Sequence, residues 1–333
     1  MVIGRNEGAR LRRSLESLHA VRPAALYVDS ASSDGSAALA RGLGFAVLEL
    51  GDDGRLTAAR ARNAGGEEVV QRRGGVEFVQ FMDGDCALEA GWLEAGYTEM
   101  KSRPEAAVVF GRVQELEREA SAFNRLCDIE WQSPVGEVAG CGGIALMRVA
   151  ALRQVGAFDV NIVAGEDTEL CARLRFAGWT IRHVATPMVR HDAAMHSVKQ
   201  WWRRNLRAGY GFAQVGEKHR GSPEQPFAAK RRSNLVWAGG LPLLVVAAAP
   251  LTAGASLVLA AAYGGLAWKV YRVKRAGGLA ARDARLYALH CVLAKFPQLL
   301  GQARYRVDHL LGRAPQLIEH KAPVIGAAGG DRA

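Results

Sequence analysis

Between Arg232 and Lys269 the chain runs for 36 residues without one charged side chain, rich in Leu, Val and Ala. No other feature constrains the fold as strongly, because a water-soluble domain of this size rarely needs such a run. As one continuous helix it would be about 54 Å long, well beyond the roughly 30 Å hydrocarbon core of a bilayer. It must break or fold back, and Pro242, Pro250 and Gly254 supply the places. Division near Pro250 leaves two apolar runs, Asn234 to Ala249 and Leu251 to Trp268, each slightly short for a full crossing. Both outer flanks are basic, Lys230-Arg231-Arg232 before and Lys269 to Arg275 after, which places both ends on the cytoplasmic side. The expected structure is a helical hairpin over about 234–268, spanning or re-entrant; one tilted helix plus a loop is the alternative.

Charge divides the chain in the same way. Of the formal net charge of +10, residues 1–198 contribute −5, residues 199–232 contribute +7 and residues 269–333 contribute +8. With the basic excess confined to the membrane-proximal parts, anionic lipid headgroups are the expected partner. Nucleic acid is not, because no base-reading motif accompanies the charge. The opening MVIGRNEGAR has neither a charged-then-apolar run nor a small-residue cleavage site. No secretory leader is therefore expected, and the front part is placed in the cytoplasm, at a bacterial-type inner membrane. Cys86, Cys127, Cys141, Cys171 and Cys291 are odd in number and nowhere spaced as a metal-binding pair, so they read as reduced, packing thiols.

Along the front part, short β-branched or aromatic runs alternate with helical periodicity, the pattern of an α/β layer with a mostly parallel central sheet. Val2-Ile3 reads as a first strand, shorter than the usual five or six residues, so the sequence is expected to start within it. Leu11, Leu15 and Leu18 share a helical face, Ala25 to Asp29 make a second strand, and Thr57 to Val70 suit a helix. Val76 to Met82 is a buried strand ending at Asp83-Gly84-Asp85. Ligands of open α/β sheets sit beyond the carboxyl ends of the strands, which gathers Asn6, Asp29, Asp83 and Asp85 toward one crevice.

Asp83 and Asp85 stand one residue apart after an apolar strand, a spacing that holds a hard divalent cation such as Mg2+ or Mn2+ together with substrate phosphates. An Asp-Gly hairpin turn is the other reading, although Glu89 to Met100 looks helical rather than like a returning strand. Gly165-Glu166-Asp167-Thr168-Glu169 opens a helix with Leu170, Leu174 and Ala177 on its apolar face. Carboxylates in a first turn are ordinary caps. They gain chemical meaning from company: Gly140-Cys141-Gly142-Gly143 precedes them, and His191-Asp192 follows a strand from Trp179 to Val189.

This order of motifs resembles the inverting glycosyltransferases of family 2, whose catalytic domain has the nucleotide-sugar-binding fold called GT-A. The resemblance covers about residues 1–215 and rests on IGRNEG, VDSASSDGS, TAARARNAG before the DGD, GCGGIALMR, FDVNIVAGEDTELCARLR and the late His191. It implies a GT-A catalytic domain over 1–215 and a helical membrane-associated region over 216–333. Asn6, Glu7 and Asp29 then belong to the donor site, Asp29 toward the nucleotide base, with Arg62 and Asn63 flanking base and diphosphate. Asp83 and Asp85 correspond to the DxD, Asp85 as the direct metal ligand and Asp83 toward ribose or metal-bound water. His191 corresponds to the histidine that completes the metal site, and Gly142 and Gly143 to the loop beneath donor and acceptor. Asp167, beside Glu166, takes the base position of the ED motif. Ser30 departs from the pattern, since the family often carries a second acid after the first.

The activity so implied is metal-dependent transfer of a sugar from a nucleotide-diphosphate-sugar to a lipid-linked or glycan acceptor, in cell-surface polysaccharide or glycolipid synthesis. The segment HSVKQWWRRNLRAGYGFAQ places Val198, Trp201, Trp202, Ala208 and Phe212 opposite Lys199, Arg203, Arg204 and Arg207, which suits a helix lying among headgroups. Leu286 to Leu300, interrupted by His290, Lys295 and Pro297, reads as an interfacial or partly buried third helix. A processive polysaccharide synthase would need a channel, which one hairpin can hardly enclose. A silent scaffold would bind metal and nucleotide without transfer, and a sugar nucleotidyltransferase would need a Gly-rich phosphate loop that is absent here.

Overall fold

The computed structural model describes residues 1–52 and 56–314. The described residues divide into two units, Met1–Leu116 with Trp131–Ala193, and Glu117–Glu130 with residues 194–314. The second unit thus begins near 194 and takes in an excursion from the first, whereas the sequence reading drew its boundary after residue 215.

In the first unit, β1 (Val2–Gly4), α1 (Ala9–Glu16), β2 (Leu26–Ser30), α2 (Ser36–Gly42), β3 (Ala46–Leu50), α3 (Ala58–Arg73) and β4 (Phe78–Asp83) alternate as expected. Leu11 and Leu15 on α1 are fully buried, as are Tyr27 and Val28 on β2. Thr57 caps α3 by accepting from the Arg60 N–H at 3.2 Å, satisfying one of the free donors of the first turn. β5 (Cys86–Leu88), α4 (Trp92–Ser102) and β6 (Ala106–Glu115) follow. The chain then leaves for α5 (Ala122–Glu130) and returns as β7 (Gly136–Glu137), β8 (Ala145–Arg148), α6 (Val149–Val155), α7 (Glu166–Phe176) and β9 (Thr180–His191).

The strands form one sheet in the order β3-β2-β1-β4-β8-β6-β9-β5, with β7 beside β9. β1, β2, β3 and β4 pair in parallel. β8 is antiparallel to both β4 and β6, and β5 and β7 are antiparallel to β9. The sheet is therefore mixed rather than mostly parallel: its first half is parallel, β6 and β9 pair in parallel, and the other pairs of the second half are antiparallel. Four-residue β8 carries no alternation that could give its direction, which is set by partners far along the chain. The DGD does not turn a hairpin, because β5 pairs with β9 rather than with β4.

The second unit is helical: α5, α8 (Val198–Lys218), α9 (Ala228–Asn234), α10 (Leu241–Ala248), α11 (Ala261–Ala276), α12 (Ala281–Leu293) and α13 (Lys295–Leu310). Ser197 and Gln200 form a capping box at the start of α8. The apolar side of α8 is covered in part by protein, with Val198 and Trp202 left exposed. Trp201 is buried and donates to His290 Nδ1 at 2.9 Å, while Phe212 packs against Phe227. Glu130 joins the same network, with Arg204 at 2.5 Å and His290 Nε2 at 2.9 Å. Protein thus takes the Trp201 and Phe212 part of the face expected among headgroups, and the Val198 and Trp202 part stays open. The 286–300 segment forms the end of α12 and the start of α13, with His290 and Pro297 buried.

The uncharged run breaks near Pro250, as its prolines require. A π-helical turn (Leu235–Gly240) leads into α10, and a 3-10 segment (Ala255–Ala260) leads into α11. Among the described residues no helix is long and apolar enough to cross a membrane. The spanning form of the expected hairpin is corrected, because bends at Pro250 and Gly254 leave only short helical pieces.

α8 and α13 approach closely at two glycines. A Cβ on Gly301 would lie 2.1 Å from the Leu206 carbonyl oxygen, and one on Gly209 would lie 2.0 Å from that of Gln298. Gly301→Ala should therefore destabilise by about 1–3 kcal/mol through overpacking, although alanine alone favours a helix by about 1 kcal/mol. Urea unfolding decides this; a gain in stability would mean that the helices part freely.

Candidate functional site

The carboxyl ends of β1, β2 and β4 carry the expected acids, but most of those near β1 and β2 are engaged locally. Asp29 is buried, its carboxylate accepting from the Ser32 N–H at 2.8 Å and from the Tyr27 hydroxyl at 3.0 Å. Burial and the Asp29 charge raise the Tyr27 pKa, which keeps that phenol a donor. Asn6 sits at φ 55, and its Oδ1 accepts from the Ser33 N–H at 2.8 Å, tying the β1 loop to the β2 loop. Glu7 pairs with Arg10 at 3.2 Å, and its Cγ would lie 3.1 Å from a Cβ on Gly84, so the DGD turn rests against it. Asn63 gives both ends of its amide to the Phe158 backbone, at 2.7 and 3.0 Å.

Arg62 makes the connection on which the site turns. From α3 its guanidinium donates to Asp83 Oδ1 at 2.9 Å and to Glu166 Oε1 at 2.7 Å, with only 4% of the side chain exposed. Burial alone would lower its pKa; the charges of Asp83 and Glu166 outweigh that and raise it. Gly143 makes room for this arrangement, since a Cβ there would fall 2.0 Å from Arg62 Nη2. One cation thus joins the strand that ends in the DGD, the helix that starts with the Glu-Asp pair and the glycine loop between them.

Asp167 follows in the first turn of α7, next to the loop: a Cβ on Gly142 would lie 3.9 Å from Asp167 Oδ2. Its pKa is pushed up to about 6, first by burial and then by the Glu166 charge, against the opposing pull of Arg62. A carboxylate poised there suits proton abstraction near neutral pH. Behind it, Cys141 Sγ and Cys171 Sγ lie 3.6 Å apart, two buried thiols that pack the loop onto α7. Glu169 is fully buried and paired with Arg173 at 2.7 Å, a role inside the fold rather than at the site.

The metal corner lies at the other end of the DGD. Asp85 Oδ2 is 3.1 Å from His191 Nε2, and the backbone holds the pair in register through Cys86 opposite His191 and Asp192 N–H donating to Asp85 O at 2.9 Å. Both His191 ring nitrogens are buried, and apart from the close approach of Nε2 to Asp85 neither makes a hydrogen bond; burial lowers its pKa, leaving a neutral imidazole. A neutral imidazole offering one nitrogen lone pair beside a carboxylate fits a divalent cation. Cys86 also lies within this cluster, whose ligand atoms are all within 4.8 Å of one another. Trp131 stacks on the His191 ring at 4.4 Å and 14°, an orienting contact that the sequence did not reveal. No periodicity marks Trp131, and Cys86 was legible only as the residue after the DGD.

The fold and the site together have the layout of a glycosyltransferase: parallel strands ending at a DxD, with an acidic helix start beside a glycine loop. Residues 78–273 match the family described as Glycosyl transferase family group 2, and the chain belongs to that family. It is 29% identical over 231 residues to proteins named Pre-mycofactocin glycosyltransferase from two strains of Mycobacterium tuberculosis. The match takes in 65% of this chain and 46% of theirs, so the chain spans under half the length of these relatives. The fold is similar to that of the mannosyltransferase PcManGT from Pyrobaculum calidifontis, solved in complex with GDP-Man and Mn2+. That likeness has a TM-score of 0.59 at 19% identity and covers 92% of this chain and 86% of the other.

If one guanidinium holds the site together, Arg62→Met strands two carboxylates beside each other and should cost about 3–5 kcal/mol. Gly143→Ala acts by displacing the same group, so the double variant should lose little more than Arg62→Met alone. Thermal unfolding of the two singles and the double reads this; additive losses would separate Gly143 from the Arg62 contact.

Proposed function

We propose that the chain is a membrane-associated, divalent-metal-dependent, inverting glycosyltransferase acting on the cytoplasmic side of a plasma membrane. It takes a nucleotide-diphosphate-sugar as donor and a lipid-linked or glycan acceptor, in the building of a cell-surface polysaccharide or glycolipid. The observation that carries this reading is the Arg62 bridge, which brings the DGD and the Glu166-Asp167 pair to one site.

Asp85 and His191 would hold Mg2+ or Mn2+, whose Lewis acidity neutralises the departing diphosphate. Asp83, held by Arg62 and about a third exposed, faces the donor as the outer acid of the pair. Glu166 keeps Arg62 in place and raises the basicity of its neighbour. Asp167 takes the proton of the acceptor hydroxyl, and the nucleophile displaces the nucleotide from the opposite face in one step that inverts the anomeric centre. Gly142 and Gly143 leave the backbone open for close approach of the sugar.

GDP-mannose with Mn2+, bound by the Pyrobaculum protein, is the first donor to test, and the mycobacterial relatives add pre-mycofactocin to the acceptors. A processive synthase would lengthen its product, and a silent scaffold would bind the donor without moving sugar; product length and turnover by the purified chain separate these from single transfer. Asp167→Asn should abolish transfer while donor affinity stays within about twofold, and Asp85→Ala should weaken Mn2+-dependent nucleotide binding roughly tenfold or more. Full turnover by Asp167→Asn would remove that residue from the reaction.

The raised pKa of Asp167 has two consequences with opposite signs. Activity needs the ionised form, so kcat/KM should fall as pH drops through about 6. Stability suffers from the ionised form, because the folded pKa lies above the ordinary value. Asp167→Asn should therefore raise Tm at pH 7, and the gain should shrink as pH falls from about 6 toward 4. An acid limb unchanged in position by Glu166→Gln would contradict the role given to that neighbour.

A further inference from the structure

The uncharged stretch forms a feature that the rest of the second unit leaves open. α10 folds back on the 3-10 segment Ala255–Ala260, fastened by Ser256 Oγ donating to the Val245 carbonyl at 2.8 Å, with both residues buried. Around that contact Leu243, Leu244, Val246, Leu251, Leu257 and Val258 are between 55% and 88% exposed. Single exposed apolar side chains are ordinary, whereas four leucines and two valines on one short hairpin form a patch that needs a cover. A helix that is apolar around its whole circumference belongs inside a protein core or a bilayer.

Length and charge choose between these. The eight residues of α10 rise about 12 Å, which matches one leaflet of a core roughly 30 Å thick and not both. Between Glu224 and Asp283 there is no acidic side chain, while Lys230, Arg231, Arg232, Lys269, Arg272, Lys274 and Arg275 flank the apolar residues. Arg232, Lys269, Arg272 and Arg275 are exposed, and so is Trp268 at the end of the run, where an interfacial aromatic would anchor. A second copy of this chain or a protein partner would bury the leucines but leave the cations without a complement; acidic headgroups answer both.

We infer that residues 241–260 enter a single leaflet of an anionic bilayer as a wedge with Leu251 at its tip, while the flanking basic residues bind lipid headgroups. This deepens the membrane-associated reading above and depends on it. The wedge holds the chain at the surface where a lipid-linked acceptor presents its hydroxyl, without itself crossing.

The test uses the full chain with vesicles of phosphatidylcholine alone or mixed with phosphatidylglycerol. Flotation should require the anionic lipid, weaken at high salt, and drop roughly tenfold or more in Leu243→Asp/Val246→Asp/Leu251→Asp. These positions are exposed, so the variant should keep the wild-type circular dichroism spectrum and Tm. An environment-sensitive dye on Leu251→Cys, in a Cys291→Ser background, should shift blue on binding and be quenched by brominated acyl chains. On the same variant without dye, a membrane-impermeant thiol reagent trapped inside the vesicles should fail to reach Leu251→Cys. Absence of flotation overturns the membrane-associated reading together with the wedge. Flotation with labelling from inside overturns the single-leaflet insertion alone, and flotation unaffected by the triple substitution places binding elsewhere. A lipid-free dimer that the triple substitution dissociates would assign the patch to a second copy.

Discussion

The Arg62 guanidinium, almost wholly buried between Asp83 and Glu166, is the interaction on which the rest of the site depends. Three pieces of chain distant in sequence meet at it, and none is covalently obliged to be there. A buried cation is tolerated only with full compensation, so the two carboxylates and the side-chain-free Gly143 form one requirement rather than three. The burial that strengthens this bridge also leaves Asp167 short of water and beside the Glu166 charge, which lifts its pKa toward neutrality. Order and reactivity have the same cause. Arg62 holds the framework, and the adjacent carboxylate bears the strain that makes it basic.

The metal corner is built by different means. His191 closes β9 and lies against β5 on one side and β6 on the other, with Trp131 stacked on its ring. A ligand fixed by two strands and an aromatic face has little rotamer freedom left, so its orientation is largely set before any ion arrives. Asp85 is fixed through the same strand pairing, whereas Asp83, two residues earlier, is partly open to solvent. The DxD spacing thus separates an inward acid from an outward one.

Much of this was legible in the sequence because local rules governed it. The strand ending in Asp83-Gly84-Asp85, the α7 start at Glu166-Asp167 and the break near Pro250 all follow from periodicity, capping and proline chemistry. What was not legible depends on partners far along the chain. Arg62 reads in sequence as a diphosphate contact, yet its partners lie 21 and 104 residues away. The resemblance implies a donor contact for Asn63, and nothing in its local sequence announces that its amide binds the Phe158 backbone. The antiparallel course of β8 and the covering of α8 by α13 through Gly209 and Gly301 are likewise long-range outcomes. Amphipathic spacing marks an apolar face but cannot tell lipid from protein, and for α8 protein covers Trp201 and Phe212 while Val198 and Trp202 stay exposed.

The central claim is that the ion and the base occupy separate corners joined by an Arg62 bridge that persists when donor binds. Diffraction at the manganese absorption edge, on crystals grown with Mn2+ and a nucleoside diphosphate, tests it most directly. The account predicts a single anomalous peak bonded to Asp85 and His191, with Arg62 still between Asp83 and Glu166 and Asp167 left unligated. A peak held by Asp83 and Asp167, with Arg62 swung away from both carboxylates, would contradict it.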